Sequence, residues 1–175
     1  MDQKHLVARL AAAQIKNNQM IYIDAGSSTY EMIDYITAKN ITVVTIGLPH
    51  IEKLCSHNIH TIVLGGTVRT STSAITGNAA LKQLEHLFFD VAFIGVNGIH
   101  DIMGFTTTNQ QEAAVKEAVI RHSKTAYILA DSSKFNILCP ETYARLEDAI
   151  IISDGIPDFP KDKIRYLLPD QYQNQ

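Results

Sequence analysis

Four short segments combine residues able to recognise an anion or a hydroxylated molecule. Asp24-Ala25-Gly26-Ser27-Ser28-Thr29 sets a glycine turn and three hydroxyls at the start of a helical pattern. Backbone N–H groups converge at such a start and the peptide dipoles favour negative charge, so the segment suits a phosphate. Ser28-Thr29-Tyr30-Glu31 equally fits a capping box, in which Ser28 and Glu31 only satisfy the backbone donors of the first turn. Glu31 would also oppose an anion held there. The segment is neither a Walker loop nor a dinucleotide fingerprint, and on the residues alone both readings stand.

Gly65-Gly66-Thr67-Val68-Arg69 offers close backbone approach and, in Arg69, a bidentate grip for phosphate; the bland alternative is a turn with a solvated arginine. In Gly95-Val96-Asn97-Gly98, Asn97 could read a hydroxyl, although Asn-Gly is also a turn signal. Asn109-Gln110-Gln111-Glu112 repeats the capping-box pattern, and Glu112 with Lys116, four apart, reads as a surface ion pair worth about 0.3–0.5 kcal/mol. Asp131-Ser132-Ser133-Lys134-Phe135 places a lysine just past an apolar run, where it could meet an anion. The case for a site is the convergence of these segments, since each has a structural explanation of its own.

What must position them is legible in the apolar runs. Met20–Ile23, Ile41–Ile46, His60–Leu64, Val91–Ile94, Ala126–Ala130 and Ala149–Ile152 are short, mostly continuous and rich in β-branched residues. Continuous runs predict strands covered on both faces, as in a parallel sheet. Helical patterns alternate with them: Leu6 to Ala13, Thr29 to Ile36, Pro49 to Ser56, Asn78 to Leu87, and a face made by Ala114, Val115, Ala118 and Val119. The alternation predicts an α/β layer with helices on both faces, in which ligands bind beyond the carboxyl ends of the strands. Each chemical segment above follows a predicted strand or opens a helix beside one.

The chain of 175 residues reads as one domain over 1–175, with a core at about 4–154 and an irregular tail, 155–175, broken by Pro157, Pro160 and Pro169. Gln171 to Gln175 is expected to fray. The formal charge of −3, from 15 Lys+Arg against 18 Asp+Glu, argues against a surface that neutralises many phosphates of nucleic acid. Cys55 and Cys139 form no CxxC, which fits a reducing cytoplasm. Cys55, His57 and His60 lack the second cluster a metal site needs, so neither metal nor cofactor is expected. No apolar stretch approaches the roughly 20 residues of a membrane span.

The ordered series of motifs resembles the C-terminal sensor domain of the DeoR family of bacterial transcriptional repressors. The matching stretches run from Ile23–Thr29 through Val43-Val44-Thr45, Leu64-Gly65-Gly66, Asp90–Gly95, Gly98-Ile99, Gly104-Phe105-Thr106 and Glu112–Lys116 to Asp131–Phe135. They span about Lys4 to Asp154, and the family's usual double threonine of the first loop is Ser28-Thr29 here.

The resemblance implies a Rossmann-like, mostly parallel sheet related to ribose-5-phosphate isomerase and CoA transferases. It also implies a phosphorylated sugar as effector and a homodimer or homotetramer. By that likeness Gly26, Ser27, Ser28, Thr29 and Lys134 hold the effector, with Asp24, Gly65, Arg69, Asn97, Gly98, Glu112 and Lys116 in or beside the same cleft. DNA would be reached only through the family's winged helix-turn-helix, which is absent from this chain. An isomerase using the same cleft is the enzymatic alternative. The related isomerases carry Asp-Gly-Ala-Asp near Gly95-Val96-Asn97-Gly98, where both carboxylates are missing, leaving Glu112 as a candidate base. A third reading is an oligomerisation domain with a vestigial pocket.

Overall fold

The computed structural model describes residues 3–169, so the expected fraying of Gln171 to Gln175 lies outside the described residues. The first half carries β1 (Met20–Ile23), β2 (Thr42–Thr45), β3 (His60–Val63), β4 (Thr67–Arg69), β5 (Ala74–Thr76) and β6 (Phe89–Gly95). The second carries β7 (Gly98–His100), β8 (Gly104–Thr107), β9 (Ser123–Ala130), β10 (Glu141–Ala144), β11 (Ile150–Ser153) and β12 (Arg165–Leu167). Five helices intervene: α1 (Gln3–Ala12), α2 (Ser27–Met32), α3 (Leu48–Ser56), α4 (Asn78–Leu84) and α5 (Gln110–Arg121).

Seven strands form one parallel sheet in the order β12-β11-β9-β6-β1-β2-β3. The chain therefore starts in the middle, runs out to β3, and returns across β1 to continue through β6. The order reverses between β1 and β6. Side chains alternate across the sheet, and both faces are covered, as the continuous apolar runs require. Tyr22, Val44, Ala92, Ile94, Ile128 and Ile151 belong to one core, with Val115 and Val119 of α5. Ile21, Ile23, Val43, Phe93, Leu129 and Ile152 belong to the other, with Val7, Ala8 and Ala11 of α1.

All six predicted strands are present. The segment after Asp154, read as an irregular tail, adds an edge strand instead: Arg165–Leu167 pairs in parallel with Ile150–Ile152. Two small antiparallel sheets, β4-β5 and β10-β8-β7, were not anticipated. Their strands are only three or four residues long, and β4, β5, β8 and β10 each include threonine, so they carry little apolar signal.

Candidate effector cleft

The reversal of strand order leaves a crevice at the carboxyl ends of β1, β6 and β9, where the connections leave in opposite directions. It is a cleft of about 380 Å³. Gly26, Ser27, Ser28 and Thr29 line it from β1, Asn97 from β6, Glu112 and Lys116 from α5, and Lys134 from β9. Segments as far apart in the chain as Lys4 and Lys134 thus meet in one place.

Asp24 forms the floor. It is 1 % exposed, and its carboxylate accepts from the Tyr22 hydroxyl at 3.1 Å, from the Gly95 backbone N–H at 3.0 Å, and from the Lys116 ammonium. Lys116 also donates to the Gly95 carbonyl at 3.1 Å, to which the Tyr143 hydroxyl donates at 3.0 Å. Burial, and the negative charge of Asp24, push both phenols well above their ordinary pKa, so they remain donors. Asp24 and Lys116 thus neutralise each other and tie the end of β6 to β1. The surface pair expected between Glu112 and Lys116 does not form, because Lys116 points inward and Glu112 takes Arg69 at 2.8 Å.

The first loop is built for an open helix start rather than a cap. Gly26 stands at the N-cap with φ of 141°, a conformation that suits glycine, and no side chain caps α2. The capping box that Ser28 and Glu31 could have formed is therefore absent: the helix begins two residues earlier than that box requires, at Ser27. The N–H groups of its first turn have no partner within the helix. Thr29 locks the loop from beneath, donating to the Asp24 carbonyl at 2.6 Å, with the Gly26 carbonyl at 3.0 Å and His50 Nε2 also at 3.0 Å. The single Thr29 proton goes to a carbonyl, so His50 Nε2–H is the donor to Thr29. Burial lowers the His50 pKa to about 4 and keeps the ring neutral.

The third loop is fixed by Asp131, which accepts from the Ser133 N–H at 2.9 Å and from the Ser133 hydroxyl, and by Asp154, which accepts from the Ser132 N–H at 2.7 Å. Lys134 stands on this frame, and its ammonium has no acidic partner among the described residues. Asn97 accepts from the Thr107 hydroxyl at 2.6 Å through Oδ1, which leaves its amide N–H groups for a ligand. Asn109 caps α5 as its sequence suggests, accepting from the Glu112 N–H at 3.1 Å.

Four expected site residues do not line the cleft: Asp24 lies buried beneath it, and Gly65, Gly98 and Arg69 stand away from it. Gly65 donates its N–H to Gln83 at 2.9 Å and serves the turn before β4. Gly98 is buried under the backbone of Ile137, whose carbonyl oxygen would lie 2.5 Å from an added Cβ. Arg69 acts through Glu112. Conversely, Lys4, Thr72, Thr107 and Asp131 line the cleft without having been singled out. Asp131 could have been found as the residue preceding the Lys134 turn; Lys4 and Thr72 reach the cleft only through tertiary packing.

Cys55 and Cys139 are free, and no grouping of three His, Cys, Asp or Glu that could hold a metal occurs among the described residues. No described helix is long and apolar enough to cross a membrane.

Residues 1–155 match the family model of the DeoR C-terminal sensor domain. The chain belongs to that family. It is 40% identical over 163 residues to an uncharacterized HTH-type transcriptional regulator, FruR, of Bacillus subtilis, covering 93% of this chain and 65% of the relative. It is 28% identical to the HTH-type transcriptional regulator GlpR of Haloferax volcanii, with coverage of 90% and 63%. It is 27% identical to the HTH-type transcriptional repressor GlcR of Bacillus subtilis, with coverage of 90% and 61%. This sensor domain thus spans under two thirds of the length of those relatives, which are HTH-type regulators of transcription.

Among solved structures it is similar to ribose 5-phosphate isomerase A of Neisseria gonorrhoeae, with a TM-score of 0.56 and 18% identity over 75% of this chain and 52% of that one. It is equally similar to eIF2B delta of Chaetomium thermophilum, with a TM-score of 0.56 and 15% identity over 77% and 48%. At these identities the likeness is one of fold: a mostly parallel α/β sheet.

Proposed function

We propose that the cleft binds a phosphorylated sugar, and that binding alters operator recognition by a helix-turn-helix part attached to this domain. The observation that carries the reading is the distribution of charge. Asp24 with Lys116 and Glu112 with Arg69 are neutralised pairs, whereas Lys134 keeps an unpaired ammonium on the same cleft as the uncapped N–H groups of the Gly26–Thr29 turn. An anion satisfies both. Asn97 and the loop hydroxyls suit the remainder of a sugar.

No proton-transfer chemistry is required of such a site. Its ligand has only to favour one arrangement of the domain over another. DNA would be contacted by the helix-turn-helix part named in the relatives, in the cytoplasm, and paired half-sites would call for a homodimer or homotetramer. A thermal-shift panel of sugar phosphates beside their unphosphorylated parents tests the reading. Stabilisation by at least one phosphorylated member and not by its parent supports it; a panel without any phosphate-dependent shift sinks it.

A further inference from the structure

The seven-stranded sheet ends in two edges of opposite character. An edge strand leaves a row of backbone N–H and C=O groups unpaired, and proteins guard such rows with charge and proline. β12 is guarded: Arg165 lies within it, Lys161, Asp162 and Lys163 precede it, and Pro160 and Pro169 flank it. β3 is not. From Asn58 to Gly66 there is no lysine, arginine, aspartate, glutamate or proline. His60–Val63 pairs in parallel with β2 on one side, and among the described residues no strand adjoins the other.

The border beside this edge is apolar as well. α3 packs against β3, and the β4–β5 hairpin follows it after Gly65-Gly66. The hairpin is held to the start of α3, where the Leu48 N–H donates to the Ser73 carbonyl at 2.9 Å and Gly47 bridges to Ala74. Each of these elements exposes a large apolar side chain: Leu48 from α3, Val63 from β3 and Val68 from β4.

We propose that the β3 edge is where a second copy of this domain docks, its own β3 running antiparallel about a two-fold axis so that the two sheets become one. The unpaired backbone rows of the two copies satisfy each other. The second copy also brings its own Leu48, Val63 and Val68 against an apolar border. An isolated extended peptide would gain only the few ladder bonds of a four-residue strand, each worth about 0.5–1.5 kcal/mol. With no acid, lysine or arginine between Asn58 and Gly66, antiparallel pairing sets no such like charges opposite one another in any register. The contact is isologous and closes at two copies, because the guarded β12 edge does not extend the sheet. The inference names a surface for the self-association proposed above and does not depend on what the cleft binds.

The test is sedimentation velocity of the unliganded 175-residue chain at high micromolar concentration. Wild type is compared with Val63→Lys, with Val63→Glu, with an equimolar mixture of the two, and with Phe88→Lys, which alters an exposed apolar residue outside this border. Wild type and Phe88→Lys are expected to associate. Each Val63 variant alone should show half the wild-type mass with an unchanged melting temperature, and the mixture of opposite charges should regain the wild-type mass. A monomeric wild type overturns the inference together with the self-association reading, and leaves the reading of the cleft untouched. Val63 variants that keep the wild-type mass show that another surface pairs, and overturn the inference alone. So does a mixture that stays at half mass, or a loss of mass in Phe88→Lys as large as in the Val63 variants.

Discussion

Asp24 and Lys116, 92 residues apart in the chain, form a buried ion pair that closes the floor of the cleft between β1 and α5. Three donors engage the Asp24 carboxylate, and this arrangement fixes the position of the Gly95 backbone from which the Asn97 loop departs.

Removing one partner leaves an uncompensated buried charge. Lys116→Met is expected to cost about 3–5 kcal/mol of unfolding free energy, and Asp24→Asn combined with it should recover at least about 1 kcal/mol. Urea denaturation of the two variants measures both values. A single-variant loss below about 1 kcal/mol would show the pair to be dispensable.

Ser28 does not take the role that the capping-box pattern suggests, and Thr29 secures the loop instead. Ser28 caps nothing, so Ser28→Ala should change stability by less than about 0.5 kcal/mol and act on ligand affinity. Thr29 is fully buried and holds the loop to the Asp24 carbonyl and to His50, so Thr29→Val should cost about 1–3 kcal/mol. Equal stability losses in the two variants would restore the cap.

His50 gives the fold a predictable acid sensitivity. Its folded pKa of about 4 lies below the ordinary 6.5, so between those values the unfolded chain takes up a proton that the folded chain does not. This contribution is absent as a penalty above pH 6.5, and stability falls as pH drops from there towards 4. Between pH 7 and 5 the loss amounts to about 2 kcal/mol. Denaturation of wild type and His50→Gln across that interval checks it; the variant should show a loss smaller by that amount, and parallel profiles would contradict the assignment.

Sequence patterning reveals most of the frame here because β-branched runs such as Thr42-Val43-Val44-Thr45 face cores on both sides of the sheet. β12 escapes notice because Arg165-Tyr166-Leu167 is an edge strand with two exposed residues among prolines. The site is legible as a set of loops but not as a set of pairs. The spacing of Glu112 and Lys116 suggests a local partnership, whereas burial turns Lys116 towards Asp24 and the β4–β5 hairpin brings Arg69 to Glu112. Such long-range exchanges leave no local signature. Lys4 is an equally clear case: only the packing of α1 beside α2 carries it to the mouth of the cleft.

The central claim is that Lys134 and the Gly26–Thr29 turn hold a phosphate, and titration calorimetry of wild type and Lys134→Ala with one stabilising sugar phosphate and its unphosphorylated parent tests it most directly. The account predicts that wild type strongly prefers the phosphorylated sugar. Lys134→Ala should bind it more weakly by about 1.5–3 kcal/mol, the range of a charge-assisted hydrogen bond, with its melting temperature unchanged and its affinity for the parent unaltered. If Lys134→Ala binds the phosphorylated sugar as wild type does, the phosphate lies elsewhere and the account is wrong.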